Sequence, residues 1–228
     1  MTAPAFEWSL SGLVSAALVT IGVSSALLIA SHGVRRVRNV RRRRRRARVR
    51  AELGRLVLDD STNLDHEWSE GAMRRRDVEE VLVGMALKVE GQSRERLAQI
   101  AVTGGLVEWA AYHLDAPRRA TRGRALRLLD VGFGPAGDGS TGRDRVDPKL
   151  VDLAVGQLTG CLRDRTPEIR SGAALVLGAI GQVSAVPSIL RAVESEPSIP
   201  PALALRAIAR VGRSAIPTLL LLGSSDDE

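Results

Sequence analysis

The amino-acid sequence predicts an all-helical protein in which one membrane-spanning helix precedes a stack of helical hairpins. Three observations support this fold class. An uncharged apolar segment covers residues 10–30, apolar residues recur at helical spacing from residue 77 onward, and a pattern of glycine and proline repeats about every 31 residues near the carboxyl end. The sustained apolar and polar alternation that is typical of β-strands does not occur in the sequence.

The charge of the chain is concentrated in one short segment. The 228 residues carry a formal net charge of +7, but eleven arginines lie between Arg35 and Arg50, and without them the charge would be negative. This distribution excludes a basic nucleic-acid-binding face that covers the whole fold. One cysteine and three histidines disfavour a disulfide framework, a cysteine zinc site and a histidine-based metal or acid-base site.

The apolar segment at residues 10–30 is the predicted transmembrane helix. Its 21 uncharged residues would span roughly 30 Å as a helix, which is the thickness of the hydrocarbon core. The arginines that follow it place the carboxyl-terminal part in the cytoplasm and residues 1–9 outside. A cleavable signal peptide and a buried core helix are the alternatives. The excess of arginine over lysine favours a bacterial plasma membrane.

Residues 31–58 are predicted to form a polybasic helix next to the membrane. Its arginines would contact anionic lipid headgroups, since clustered positive charge at a membrane surface is attracted to them. Phosphate groups of a nucleic acid are the alternative partner, which the absence of interleaved aromatic residues disfavours. The candidate lipid contacts are Arg35, Arg36, Arg38, Arg41, Arg42 and Arg43.

Residues 59–76 are predicted to be an acidic linker, and residues 77–228 a helical domain. Five acids surround His66 in the linker, but the ligand spacing matches no cation loop, so a solvated or arginine-paired loop is favoured over a metal site. In the domain, a stripe at helical spacing indicates a buried helix face, and Trp109 and Tyr112 are expected to pack inward on a later helix. The stripe comprises Val78, Val81, Leu82, Met85 and Val89.

The repeated pattern near the carboxyl end predicts the geometry of a helical hairpin. Thr166 is expected to cap a helix that begins at Pro167, and Gly181 to end it in the left-handed conformation. Pro187 is expected to begin the second helix. Alanines at positions 173, 174 and 179 keep the first helix thin, so that neighbouring helices pack closely. Gly212 and Pro217 repeat the pattern, and Gly132 and Pro148 form an earlier copy with a longer connection.

The sequence resembles the HEAT-repeat family, specifically the HEAT-like repeats named after phycobilisome lyases. The resemblance covers residues 118–222 and extends more weakly to 77–117. It implies an α-solenoid of helical hairpins that is used for contact between proteins. The residues that carry it are Pro167, Glu168, Arg170, Ala173, Leu177, Gly178, Ile180, Gly181, Ala185, Val186, Pro187 and Leu190.

These features together favour a membrane-anchored cytoplasmic scaffold that binds another protein, and neither a cofactor nor an enzymatic activity is expected. A membrane-tethered nucleic-acid-binding protein is the alternative. The expected binding surface is formed by the second helix of each hairpin, and Leu221 or Leu222 is expected to dock on a partner or on a second copy of the chain. The candidate surface residues are Lys149, Asp152, Gln157, Arg191, Glu194, Leu221 and Leu222.

Overall fold

The computed structural model describes residues 36, 40–58, 75–134, 142–195 and 198–224. The chain divides into two compact units, Met1–Arg48 and Val49–Glu228. Every regular element in the described residues is an α-helix or a short 3₁₀ turn, and these residues form no β-strand. The all-helical part of the predicted fold class therefore agrees with the structure.

The predicted membrane helix is corrected. Within the described ranges, the structure holds no helix that combines the length and the apolar character needed to cross a bilayer. The segment on which the prediction rested, residues 10–30, lies outside the described residues, as do Arg35, Arg38 and most of the acidic linker with His66. The single-pass topology and the plasma-membrane location are not retained.

Ten helices are described. Helix α1 covers residues 40–58. The others are α2 (Arg75–Ala86), α3 (Gly91–Thr103), α4 (Leu106–Ala111), α5 (Arg119–Gly132), α6 (Pro148–Cys161), α7 (Pro167–Ile180), α8 (Val186–Glu194), α9 (Pro201–Val211) and α10 (Ile216–Ser224). Short 3₁₀ turns at Gly142–Arg145, Val183–Ala185 and Gly212–Ala215 precede α6, α8 and α10.

From α3 onward the helices of the second unit form two rows. In the first row α3 contacts α5, α5 contacts α7, and α7 contacts α9. In the second row α4 contacts α6, and α8 contacts α10. The second-row helices α4, α6 and α8 each also pack against the first-row helix that follows in sequence. This arrangement buries one continuous core, because a hairpin covers its apolar face only by stacking on its neighbours.

The closest approach in the first row lies between α7 and α9. A Cβ atom added to Gly178 would collide with the backbone carbonyl of Ala207, so glycine is required there. Ala173, Ala174 and Ala207 are completely buried. Ala173 and Ala174 therefore lie on the buried face of α7, and Gly178 makes the close contact with α9.

The two later glycines of the repeat adopt positive φ angles as they end their helices. Gly181 has φ 72° after α7, and Gly212 has φ 80° after α9. Gly132 is different, since it is the last residue of α5 and a Cβ there would collide with the Val107 side chain. Gly132 is therefore required for helix packing, whereas Gly181 and Gly212 allow the backbone to turn at the end of a helix.

Three local predictions are wrong in detail. Thr166 occupies the cap position of α7, but its side chain makes no capping hydrogen bond to the described helix. The side-chain hydrogen bond just before this helix comes from Asp164, whose Oδ1 accepts from the Thr166 backbone N–H at 2.8 Å. Tyr112 follows the short helix α4 and is exposed, and Val89 lies beyond the end of α2.

The core of the second unit begins before the predicted linker. Val49, Leu53 and Leu56 of α1 are buried in the same apolar cluster as Leu82 and Leu97. The carboxyl-terminal half of the arginine-rich helix therefore contributes to the core. Its few apolar residues are separated by charged residues in the sequence, so the prediction did not include them in the domain.

Candidate interaction surfaces

An arginine ladder links successive hairpins along one edge of the stack. Arg122 and Arg170 are each the fourth residue of a first-row helix, α5 and α7. Each Nη1 donates at 2.8 Å to a carbonyl six residues earlier, that of Ala116 or Asp164. Each also reaches the next hairpin. Arg122 pairs with the Asp164 carboxylate at 2.9 Å, and Arg170 donates to the Ser198 carbonyl at 3.1 and 3.2 Å.

Asp164 and Cys161 lie where this ladder meets the end of α6. Burial acts to raise the pKa of Asp164, but the hydrogen bonds from Thr166 and the Arg122 guanidinium outweigh it and lower that pKa. Burial, assisted by the Asp164 charge, raises the pKa of Cys161 to about 11. The thiol is therefore protonated at neutral pH, and it donates weakly to the Leu114 carbonyl.

A groove of about 710 Å³ runs between α5 and α7 on the first row, and we call it the first-row groove. Its floor combines Gly123 and Gly172 with the edges of buried apolar side chains, namely Leu126, Ile169 and Val176. The helices are parallel neighbours in the row, and the stretch from residue 119 to residue 130 gives the groove a length of roughly 16 Å.

Ion pairs between helices close both ends of the first-row groove. Arg119 pairs with Glu168 at 2.9 Å at one end. At the other end Arg210 of α9 donates to Asp130 at 2.8 Å and to the Leu175 carbonyl at 3.2 Å. Arg127 lines the groove between these pairs, and among the residues that the structure describes it has no hydrogen-bond or ion-pair partner. The groove therefore presents one uncompensated cation beside an apolar floor.

Two smaller grooves lie at the carboxyl ends of the second-row helices, and we call them together the second-row face. One, of about 480 Å³, is lined by Arg163, Arg191 and Glu194. The other, of about 430 Å³, shares Arg163 and is also lined by Gln157 and by the ladder pair Arg122 and Asp164. Arginines and carboxylates alternate around both, so the second-row face is polar and of mixed charge.

The structure brings together part of the predicted binding surface. Gln157, Arg191 and Glu194 line the second-row face. Lys149 and Asp152 are exposed near the start of α6, outside both grooves. On α10, Leu221 is 72% exposed and Leu222 is half-buried. Leu205 and Leu220 add to the exposed apolar surface on α9 and α10.

The arginines of the first unit stand on a helix. The helix covers residues 40–58, and Arg41, Arg42 and Arg43 are exposed on it, as is Arg36 before it. Six consecutive arginines at positions 41–46 point around the whole helix, because neighbouring residues differ by about 100°. The first five of these arginines are exposed and Arg46 is half-buried, so the helix presents positive charge over most of its circumference.

The aromatic residues and acids near α2 form a structural cluster. The Glu79 carboxylate is buried, and it pairs with Arg124 at 3.2 Å and with Arg75 at 3.7 Å. Both guanidinium groups lie over the Trp109 ring, at 5.4 and 5.3 Å from its centroid. His113 stacks on the same ring and donates from Nδ1 to the Trp109 carbonyl at 2.7 Å. These contacts join α2, α4 and α5.

Metal-binding geometry does not occur in the described ranges, where groups of three or more histidines, cysteines, aspartates or glutamates do not converge. The buried Glu79 carboxylate forms ion pairs with Arg124 and Arg75. The Cys161 side chain is buried, and its thiol is protonated at neutral pH.

The sequence analysis missed the first-row groove and the ladder residue Arg122. Both could have been found by aligning the sequences of α5 and α7. In that alignment Arg122 corresponds to Arg170, and each of the two helices contains an internal glycine, Gly123 or Gly172. The longer connection between α5 and α6 obscured this register, because it shifts the spacing of the earlier copy.

In comparisons with known proteins, no family model matches the chain and no curated protein is significantly similar to it.

Proposed function

We propose that the chain is a scaffold of HEAT-like hairpins whose biochemical role is to bind another protein. The observation that carries the proposal is the stacking of helices in two rows, which leaves open grooves along the stack. Such surfaces suit an extended or helical segment of a partner, as the concave surfaces of repeat proteins do.

The arginine ladder supports the repeat assignment. Arg122 and Arg170 occupy the same helix position and make the same kind of bond to their own hairpin and to the next one. Equivalent bonds at equivalent positions are typical of a structural repeat whose stability comes from neighbour contacts.

Site-specific photo-cross-linking tests the scaffold function. A photoreactive benzoylphenylalanine is placed in the full chain at Ala120, which is exposed and lines the first-row groove, at Arg191, or at the exposed control position Ser184. The expected result is a discrete cross-linked protein in cells at Ala120 or Arg191 and not at Ser184. Failure of both groove positions to form a specific adduct would overturn the scaffold function.

A further inference from the structure

The first-row groove combines an apolar floor with a single uncompensated cation. The two acids of the groove, Glu168 and Asp130, are already engaged by Arg119 and Arg210. The remaining charge is Arg127, which is exposed on α5 and lacks a partner in the described part of the chain. A ligand that complements the groove must therefore supply both apolar side chains and a carboxylate.

The floor of the groove is open above Gly123, whereas a Cβ added to Gly172 would lie 3.0 Å from the Leu126 side chain, so Gly172 serves helix packing. At Gly123 the nearest atoms to an added Cβ are the Arg127 guanidinium and the Ile169 side chain, both at 3.8 Å, so alanine would fit without strain. Glycine inside a helix costs about 0.5–1 kcal/mol relative to alanine. Neither the backbone nor the packing of the chain requires this glycine, and its effect is to leave room over the floor.

We propose that the first-row groove binds an acidic, apolar peptide segment of a partner protein, with a carboxylate of that segment paired to Arg127. This deepens the proposed scaffold function and rests on it. The guanidinium offers a bidentate pair to a carboxylate, and the floor accepts aliphatic or aromatic side chains on either side. A groove of roughly 16 Å accommodates about five extended residues or three helical turns.

The test selects a random twelve-residue phage-displayed peptide library on the immobilised full chain. The proposal predicts enrichment of sequences with aspartate or glutamate flanked by large apolar residues. A synthetic peptide of the enriched sequence is then measured by fluorescence anisotropy. Arg127→Glu should weaken its binding by about tenfold or more, as expected for the loss of one charge-assisted pair.

Two variants and one peptide give the controls. Arg213→Glu makes the same charge change at an exposed arginine outside the groove and should leave affinity unchanged. Gly123→Leu should block the floor, with circular dichroism confirming the fold. A peptide with lysine in place of its acid should bind Arg127→Glu better than it binds the native chain.

Other outcomes overturn the proposal. Enrichment of peptides without an acidic residue would refute the proposal that the ligand is acidic. Equal peptide affinity for the native chain and for Arg127→Glu would refute the pairing with Arg127. Binding that emerges only after the acids of residues 59–70 are neutralised would assign the groove to this chain's own linker. A dimer that dissociates in Arg127→Glu would assign it to a second copy. Cross-linking at Arg191 alone would leave the scaffold function standing and refute only this groove.

Discussion

The two rows of helices differ in the surfaces that they present. In the first row, α7 and α9 approach until Gly178 touches the Ala207 carbonyl, and ion pairs tie neighbouring helices together. On the second-row face, Arg191 donates only to the Pro187 carbonyl of its own helix, at 3.3 Å, among the contacts that the structure describes. Interactions between hairpins thus concentrate on the first-row helices, and apart from the ladder pair Arg122 and Asp164 the described contacts of the second-row face leave Arg191 exposed to solvent or a partner.

This difference indicates where stability and binding reside. Substitutions in the first row should cost stability, because they remove contacts between hairpins. Substitutions of the exposed charges on the second-row face, outside the ladder pair Arg122 and Asp164, should cost little, because single exposed charges contribute little to folding. The first-row groove is the exception, since it lies in the structural row yet contains residues that no contact in the fold requires.

The largest expected effect follows removal of a ladder arginine. Arg170→Met would leave the Asp164 and Ser198 carbonyls without their donor in a buried site, and a loss of about 2–4 kcal/mol in the free energy of unfolding is expected. Urea denaturation measures this loss. The matched second-row variant Arg191→Met should lose less than about 0.5 kcal/mol. Equal losses in the two variants would contradict the contrast between the rows.

A methyl group at the closest helix approach should have the next largest effect. Gly178→Ala places a Cβ against the Ala207 backbone, which is expected to cost about 1–3 kcal/mol of overpacking strain. Gly156→Ala on α6 is the control, because an added Cβ there meets no atom within 4 Å. That variant should gain about 0.5–1 kcal/mol. Thermal unfolding distinguishes the two, and a stabilised Gly178→Ala would refute the close packing of α7 on α9.

The lowered pKa of Asp164 predicts acid sensitivity at the ladder. Its carboxylate contributes stability that is fully present above the unfolded pKa of about 3.9 and is lost as the pH falls through the lower folded value. Asp164→Asn should therefore lower the melting temperature at pH 7, and the difference from the native chain should shrink below about pH 4.

Labelling of Cys161 gives a local measure of the same contact. The buried thiol should react slowly with iodoacetamide at pH 7 in the native chain and faster in Asp164→Asn, because the loss of the carboxylate charge lowers the thiol pKa and the loss of its hydrogen bonds loosens the end of α6. Asp152→Asn, at an exposed acid on α6, is the control and should change neither the melting curve nor the labelling rate. A constant melting difference across the acid range would contradict the assigned pKa direction.

The smallest expected effect concerns the floor of the first-row groove. Gly123→Ala should raise the free energy of unfolding by about 0.5–1 kcal/mol, because the helix gains an alanine and the added atom has space. Chemical denaturation measures the gain, and affinity for the selected peptide should fall in parallel. A destabilised variant would mean that the fold itself requires this glycine.

Much of the fold could be predicted from local chemistry. Proline at the start of α6 and α7, glycine after α7 and α9, and the 3.6-residue period of apolar side chains mark these helices within a few residues. The predictions that were wrong in detail concern Thr166 and Tyr112, whose surroundings depend on other helices. The membrane span and the location are corrected, and the residues of the second-row face remain predictions.

The sequence by itself determined that this chain forms helices and where most of them begin and end, because these properties depend on backbone geometry and neighbours along the chain. Only the tertiary structure decided which charges are engaged. Arg210 reaches Asp130 from 80 residues away, and Arg122 reaches Asp164 from 42 residues away. These pairings, and the unengaged Arg127, depend on how helices pack side by side, which the local pattern of residues does not specify.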